Sequence, residues 1–441
     1  MVKKWITQKI EGRPGLAKIL GNTWWLFFDR IVRLGMSLLV GVWVARYLGP
    51  ERYGILNNSL AIATLFGAFA TLGLESFVIL EIIKDPDRKS DILGSAFYLK
   101  FGSGIVTYLF AILSILILKP GDAHQLDRFL VYVISAGIIF QSLDVIDYYF
   151  QSQTKSKYTV WAKLSMLSLV SGSRIFLILI DSPLIFFALA SLLEIILNGA
   201  ALLYVYQRNE KQLYLWKFDK GVARRLLMQS WPFYIAYIAS FIYMKIDQIM
   251  IGSMLGDRQA GLFAASTKLY EIPFLIIVVL SSSVFPTLVE YYEKNRKLFY
   301  QRYSQITGAY TFMGYLLVAF IFFFGSYLVD LIFGQEYAGV FPILSIQIVG
   351  MFFLFNAGLR SSYLILTSNQ GIIMVTTLFS ALLNVSLNFL LIPIYYAVGA
   401  AISTVITQFV SLFLLNIFYR NTREIFKIQW KSFLLIPLFK S

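Results

Sequence analysis

The sequence predicts an all-α polytopic membrane protein, with twelve transmembrane helices in two six-helix halves around a central cavity. Three observations lead to this fold class: the composition, the placement of the basic residues and an internal repeat. Of 441 residues, 58% are hydrophobic and 14% are charged, whereas a soluble domain has about 45–50% and about 25%. A water-soluble globule of this size cannot bury so much apolar surface. The composition therefore excludes a soluble enzyme with one anchor, a disulfide scaffold and a disordered chain.

Apolar stretches of the length that crosses a bilayer, about 20 residues, recur twelve times along the chain. We place the spans at 22–45, 54–80, 95–118, 128–150, 159–180, 183–206, 227–252, 264–288, 306–333, 339–365, 372–392 and 397–419. The uncharged stretch Ser361–Tyr419 is too long for one span. The turn residues at 369–371 and 393–399 divide it.

The basic residues of the loops lie mostly on one side of these spans. With the N-terminus in the cytoplasm, the cytoplasmic segments hold 25 Lys and Arg residues and the outer loops hold 5. This asymmetry places both termini in the cytoplasm. Contact with acidic membrane lipid accounts for the net charge of +14, so no nucleic-acid partner is expected. The predicted organisation is a cytoplasmic N-terminal segment, a first half, a basic linker, a second half and a cytoplasmic tail, at 1–21, 22–206, 207–226, 227–419 and 420–441.

The residue types needed for metal, cofactor or enzymatic chemistry are scarce. The chain has no cysteine and a single histidine, His124 in a polar loop, so we expect no metal site. The glycines Gly49 and Gly54 are followed by Ile55 and not by Lys-Ser/Thr, which excludes a P-loop. We expect no cofactor and no enzymatic activity. The short outer loops also argue against a membrane enzyme that transfers or polymerises glycans.

A short glycine motif occurs once in each predicted half. Leu48–Gly54 and Leu255–Gly261 both read L-G-x-x-x-x-G, at an offset of 207 residues. Both follow the odd-numbered span of a hairpin on the same side of the membrane. We predict tight turns at Gly49, Gly54, Gly256 and Gly261, because glycine adopts a positive φ without strain. The match favours duplication of a six-span unit, a layout typical of transporters that bind substrate between their halves.

Residues of both predicted halves carry a resemblance to a known family. They include Asn22, Arg30, Arg33, the string Arg46–Gly54, then Asp247–Gly252, Leu255-Gly256, Gly261–Ala265 and Pro286. The chain resembles polysaccharide flippases of the multidrug/oligosaccharidyl-lipid/polysaccharide exporter superfamily. The resemblance implies a bacterial inner-membrane protein that moves an undecaprenyl-diphosphate-linked oligosaccharide, such as an O-antigen repeat unit, from the cytoplasmic to the outer leaflet. It also implies a polysaccharide polymerase and a chain-length regulator as partners. A cation-coupled drug antiporter of the same superfamily is the alternative.

Basic residues within the spans are the predicted binding groups for the diphosphate. A charge at the centre of a membrane helix costs about 2.5–3.5 kcal/mol, so these side chains need partners or a wet cavity. Arginine binds phosphate with two parallel hydrogen bonds and keeps its charge. The predicted cationic cavity is lined by Arg30, Arg33, Lys163, Arg174, Lys245 and Lys268.

Several of these cations leave a second interpretation open. Arg33 lies four residues after Asp29, so the two could instead form an ion pair. Lys163 and Arg174 share one helix face, about 16 Å apart, which permits either a ladder for the headgroup or an accident of spacing. For Lys163, Lys100 and Arg360, near cytoplasmic ends, we expect the side chains to snorkel toward water.

Acidic residues within the spans are candidates for ion coupling. Asp144, Glu194 and Asp247 could bind a proton or a sodium ion, although a structural polar contact is equally compatible with each. Asn384 and Asn388 lie four residues apart on one helix face. For these two residues we expect hydrogen bonds between helices.

Overall fold

The computed structural model describes residues 14–121, 124–210 and 215–436, and among these residues it contains helices and no β-strand. The α-helices are α1 Pro14–Ala70, α2 Glu75–Lys84, α3 Lys89–Leu118, α4 Gln125–Phe140, α5 Val145–Ser152, α6 Lys157–Leu179, α7 Leu184–Glu210, α8 Lys220–Met254, α9 Asp257–Lys294, α10 Arg296–Phe333, α11 Val340–Gln347, α12 Met351–Leu366, α13 Gln370–Gln408 and α14 Arg423–Phe433. Residues 1–13 and 437–441, parts of the predicted N-terminal segment and tail, lie outside the described residues.

The helices have the length and hydropathy of membrane spans. In the described parts of the chain, nine helical segments are long and apolar enough to cross a membrane. The first, Gly21–Lys84, and the last, Gln370–Ile417, have 64 and 48 residues, enough for two crossings each. With α9, of 38 residues, they leave room for the twelve predicted spans. The protein is therefore an all-helical, multi-pass membrane protein.

Two long helices are broken where the sequence predicts a turn. Gly49 interrupts α1 with a φ of 71°, a conformation that glycine adopts without strain. Tyr396 interrupts α13 with a φ of 56°, three residues after Pro393. The ring of Pro393 removes one backbone donor from the helix. The predicted divisions between adjoining spans are confirmed at both positions.

One predicted cytoplasmic loop, residues 289–305, is largely helical. Helix α9 continues to Lys294, and α10 begins at Arg296. Only Asn295 separates them, and its side chain accepts a hydrogen bond from the backbone N–H of Leu298 at 3.0 Å. This is an ordinary N-cap. The loop expectation was wrong because charged residues end an apolar stretch without ending a helix.

Contacts divide the chain into two units. The N-terminal unit comprises the residues up to Tyr47 together with Ser59–Ile238. The C-terminal unit comprises Leu48–Asn58 and the residues from Ala239 onward. The segment Leu48–Asn58 contains the first glycine motif, so both glycine motifs belong to the C-terminal unit.

The described part of the basic linker is fixed to the N-terminal unit. Asp219 caps α8, because its carboxylate accepts a hydrogen bond from the Val222 N–H at 2.8 Å. Arg88 donates to the same carboxylate at 3.1 Å. The Val222 N–H, assisted by Arg88, holds the pKa of Asp219 below its usual range. The linker backbone at Lys217 crosses Gly94 so closely that a Cβ there would lie 2.6 Å from the Lys217 nitrogen.

Candidate functional site

Two arginines of α1 differ in their contacts within the N-terminal unit. Arg33 donates to the Asp29 carboxylate at 3.2 Å, and the two side chains stay 35% and 21% exposed. Arg30 is exposed and forms no ion pair with any residue that the structure describes. The apolar face of α1 packs on α6 through Trp25, Phe28, Val32 and Met36. Arg30 lies on the opposite face of the helix, and its guanidinium remains accessible.

Two lysines meet two aspartates near this arginine pair. Lys163 of α6 donates to the Asp147 carboxylate of α5 at 2.8 Å, and the charge of Arg33 acts on Lys163. Lys100 of α3 donates to the Tyr148 hydroxyl at 3.1 Å, and its ammonium lies 3.9 Å from Asp144. Residues from α1, α3, α5 and α6, and Asp144 just before α5, therefore form one polar cluster.

Arg174 lies apart from this cluster. Its guanidinium donates to Glu194 of α7 at 2.9 Å and to the Ser191 hydroxyl at 3.2 Å. Lys163 and Arg174 share α6, but their carboxylate partners lie on different helices. Each cation is thus neutralised separately.

The expectation that Lys100 and Arg360 snorkel toward water was wrong. Each residue is only 2% exposed. Arg360 donates from Nε to the Asn416 Oδ1 at 2.8 Å, and Asn416 in turn donates to Gln429 of α14 at 3.0 Å. Polar partners on neighbouring helices hold these cations inside the protein, and a single helix sequence does not reveal such partners.

The predicted cations of the C-terminal unit lie around one acid. Lys245 and Lys268 are partly buried. Glu271 attracts the Lys245 ammonium and Lys268 repels it. The structure therefore brings Lys268 and Glu271 close to Lys245 within the C-terminal unit.

Asp247 of α8 lies in a different environment, surrounded by neutral donors. Asn388 donates from Nδ2 to its Oδ1 at 2.6 Å, and the Thr404 hydroxyl donates to its Oδ2 at 2.5 Å. Asn384 is a further neighbour of the carboxylate. The carboxylate is buried, with the residue 8% exposed. The Oδ1 of Asn388 is buried and accepts no hydrogen bond from the described residues.

The three acids predicted to couple ions thus differ in their partners. Asp144 and Glu194 face Lys100 and Arg174. Asp247 accepts hydrogen bonds from Asn388 and Thr404, and Asn384 is a further neighbour. We call Asp247, Asn384, Asn388 and Thr404 the Asp247 cage. Thr404 was not predicted, because one hydroxyl in an apolar helix is too common to be a signal. Asn384 and Asn388 were predicted as a pair on one helix face.

The two glycine motifs pack against each other in the C-terminal unit. Gly49 and Gly256 have the predicted positive φ, 71° and 86°. The turns predicted at Gly54 and Gly261 were wrong, because both residues lie inside helices, α1 and α9, without a positive φ. A Cβ on Gly54 would lie 2.8 Å from the Asp257 carbonyl carbon and from the Gly261 nitrogen. A Cβ on Gly261 would lie 2.7 Å from the Pro50 carbonyl carbon. The backbones meet at a distance that only residues without a side chain permit.

The sequence is similar to proteins of polysaccharide and glycan biosynthesis. A sequence profile described as polysaccharide biosynthesis protein matches residues 19–292. The capsular polysaccharide biosynthesis protein CapF of Staphylococcus aureus is 20% identical over 400 residues, covering 90% of this chain and 98% of CapF. The probable low-salt glycan biosynthesis flippase Agl15 of Haloferax volcanii is 23% identical over 413 residues, covering 92% and 84%.

Solved structures share the fold. An inward-facing multidrug resistance MATE family transporter of the MOP superfamily superposes with a TM-score of 0.74 at 16% identity, covering 91% of this chain and 99% of the transporter. The lipid II flippase MurJ, in an inward closed conformation, gives a TM-score of 0.72 at 17% identity, covering 95% and 91%.

Proposed function

The chain belongs to the polysaccharide biosynthesis protein family, and on this premise we propose that it is a flippase for a polyprenyl-diphosphate-linked oligosaccharide. It would carry the headgroup from the cytoplasmic to the outer leaflet of a bacterial cell membrane, with both of its termini in the cytoplasm. This proposal is supported by two similar proteins, Agl15 and MurJ, whose names describe them as flippases. A polymerase and a chain-length regulator remain predicted partners.

The observation that carries the proposal is the accessible guanidinium of Arg30 on an apolar helix. A diphosphate bridge carries about two negative charges and cannot cross hydrocarbon without compensation. Arg30 has no acidic partner among the described residues, so its five N–H donors are available to phosphate oxygens. Arg33, one turn away, still has donors beyond the one that Asp29 accepts. We therefore assign the diphosphate to Arg30 and Arg33, with the Lys163–Asp147 pair bordering them.

The ion pair of Arg174 has a different role in this proposal. Its guanidinium is already bound by Glu194 and Ser191. Binding a phosphate there would require breaking a partly buried ion pair, which is costly. We propose that Arg174 and Glu194 join α6 to α7. Lys245 and Lys268 stay candidates for later contacts with the headgroup.

We propose further that the Asp247 cage binds the coupling ion. A carboxylate, an amide oxygen and a hydroxyl are the oxygen ligands that hard cations prefer. The Asn388 amide now donates to the carboxylate; a half-turn of this group would present its unpartnered Oδ1 instead. The donor set accommodates a sodium ion in this way, and a proton on the carboxylate is the other candidate.

Complementation of a flippase-deficient host tests the transport proposal. Arg30→Ala and Arg33→Ala should abolish surface glycan while the protein level stays normal. Arg224→Ala is the matched control, since Arg224 is an exposed arginine outside the predicted spans, and it should complement fully. Wild-type surface glycan in both α1 variants would contradict the assignment. Drug resistance without surface glycan would favour the antiporter.

A further inference from the structure

A second group of buried polar side chains lies beside the Asp247 cage. Gln408 is 3% exposed and follows Thr404 by one turn of α13, so the two share a helix face. The Gln408 Nε2 donates to the Tyr270 hydroxyl at 3.0 Å, and Tyr243 is another neighbour of the same amide. Both tyrosines are close enough to interact electrostatically with Asp247. The Gln408 amide and two phenols thus border the cage.

Gln408 of this group, and Thr407 next to it in the chain, each have a side-chain oxygen that lacks a donor. The Oε1 of Gln408 is buried and accepts no hydrogen bond from the residues the structure describes. The Oγ1 of Thr407, the preceding residue, is also buried and without a partner among them. A buried acceptor without a donor is costly, and each such atom in a native protein needs an explanation. A cation that visits the site would supply the missing partner.

The backbone around Gln408 is irregular on two helices. Helix α13 ends at Gln408, and the next five residues, Phe409–Phe413, form a π-helical turn. The 3₁₀ turn Ile348–Gly350 separates α11 from α12. A Cβ on Gly350 would overlap the Gln408 Oε1 and lie 3.1 Å from its Cδ. Such turns inside helices often occur at functional sites, and here two of them meet at one amide.

We propose that the Gln408 amide oxygen, with the hydroxyls of Tyr243 and Tyr270, forms an access subsite through which a sodium ion reaches Asp247. This inference rests on the proposed role of Asp247 in ion coupling. Neutral amide and phenol oxygens replace part of the ion's hydration shell. Because they carry no negative charge, they hold the ion weakly and let it pass to the carboxylate. A change of helix pitch at the two turns would move the Gln408 amide and open the route.

Sodium-binding kinetics of the purified full-length chain test this subsite. Tryptophan fluorescence is followed after rapid mixing with NaCl, with choline chloride holding the ionic strength constant. Gln408→Met, of similar size but without the amide, should slow sodium association and dissociation at least tenfold with little change in the dissociation constant. Gln347→Met is the matched control, because Gln347 is a similarly buried glutamine of the same unit whose Oε1 is already bonded to Ser266.

Further variants separate the possible outcomes. Gln408→Glu keeps the side-chain size and adds charge, so it should speed sodium association several-fold, and it covers the case in which Gln408→Met does not fold. Unchanged association rates in Gln408→Glu, with sodium binding lost in Asp247→Asn, would overturn the subsite alone. Sodium binding retained in Asp247→Asn would refute the coupling role of Asp247 and the access route with it. A response to protons but not to sodium in the wild-type chain would also overturn the subsite.

Discussion

Replacing Gly54 by alanine perturbs the contact between the two glycine motifs with the smallest possible side chain. The new Cβ would lie 2.8 Å from the Asp257 carbonyl carbon and from the Gly261 nitrogen, whereas ordinary contacts begin at 3.4 Å. The atoms are backbone atoms on both sides, so no flexible side chain can move away. The Cβ would also overlap the Asp257 carbonyl oxygen. The segments must therefore separate by more than about 0.6 Å, the amount by which the carbon and nitrogen contacts fall short of 3.4 Å. A clash with the end of a flexible side chain could be relieved by a change of rotamer, but this clash with backbone atoms cannot.

Overpacking of this kind typically costs about 1–3 kcal/mol, and the rigid neighbours place Gly54→Ala near the upper end. A loss of about 2–3 kcal/mol lowers the folded-to-unfolded ratio roughly 30- to 160-fold. Equilibrium unfolding of the purified chain in detergent measures this loss. Gly102→Ala is the control: Gly102 is helical and a Cβ added to it would meet nothing within 4 Å, so alanine should be neutral or stabilising there. Equal stability of Gly54→Ala and Gly102→Ala would refute the close contact.

Two further predictions concern charged groups of the N-terminal unit. Arg174→Ala and Glu194→Ala should each lower the free energy of unfolding, and the double variant should lose about 1–3 kcal/mol less than the sum of the two single losses, because the pair is only partly buried. Unfolding free energies that simply add in this double-mutant cycle would contradict the ion pair. The Asp219 carboxyl has a lowered pKa in the folded protein, so its contribution to stability is present at neutral pH and is lost as the pH falls through that lowered pKa. Asp219→Asn should therefore lower the melting temperature at pH 7 more than at pH 3, and an equal difference at both values would contradict the assignment.

The membrane spans were predictable because each is a local property of about 20 residues. The helices Lys157–Leu179 and Leu184–Glu210 agree with the spans predicted at 159–180 and 183–206, although Arg174 interrupts the first apolar stretch. The extension of helices into residues 289–305 was missed, because hydropathy reports where a span ends and not where a helix ends.

The sequence showed the possible ion pair within one helix, Arg33 with Asp29, but not the partners that charged residues find on other helices. Helical spacing places Lys163 and Arg174 on one face, but it does not say that Asp147 and Glu194 approach them from two different helices. The Asp247 cage also joins residues that are distant in the sequence, since Thr404 lies 157 residues after Asp247. Such pairings depend on how the helices pack, and a single chain carries no local signal for them.

Reconstitution of the purified chain in lipid vesicles tests the central claim most directly. The vesicles contain a fluorescent polyprenyl-diphosphate-linked oligosaccharide, and a membrane-impermeant quencher measures how much of it changes leaflet. We predict that the wild-type chain moves the lipid between leaflets, that Arg224→Ala does the same, and that Arg30→Ala and Arg33→Ala reduce the rate to that of protein-free vesicles. Wild-type rates in both α1 variants, or no movement with the wild-type chain, would contradict the account.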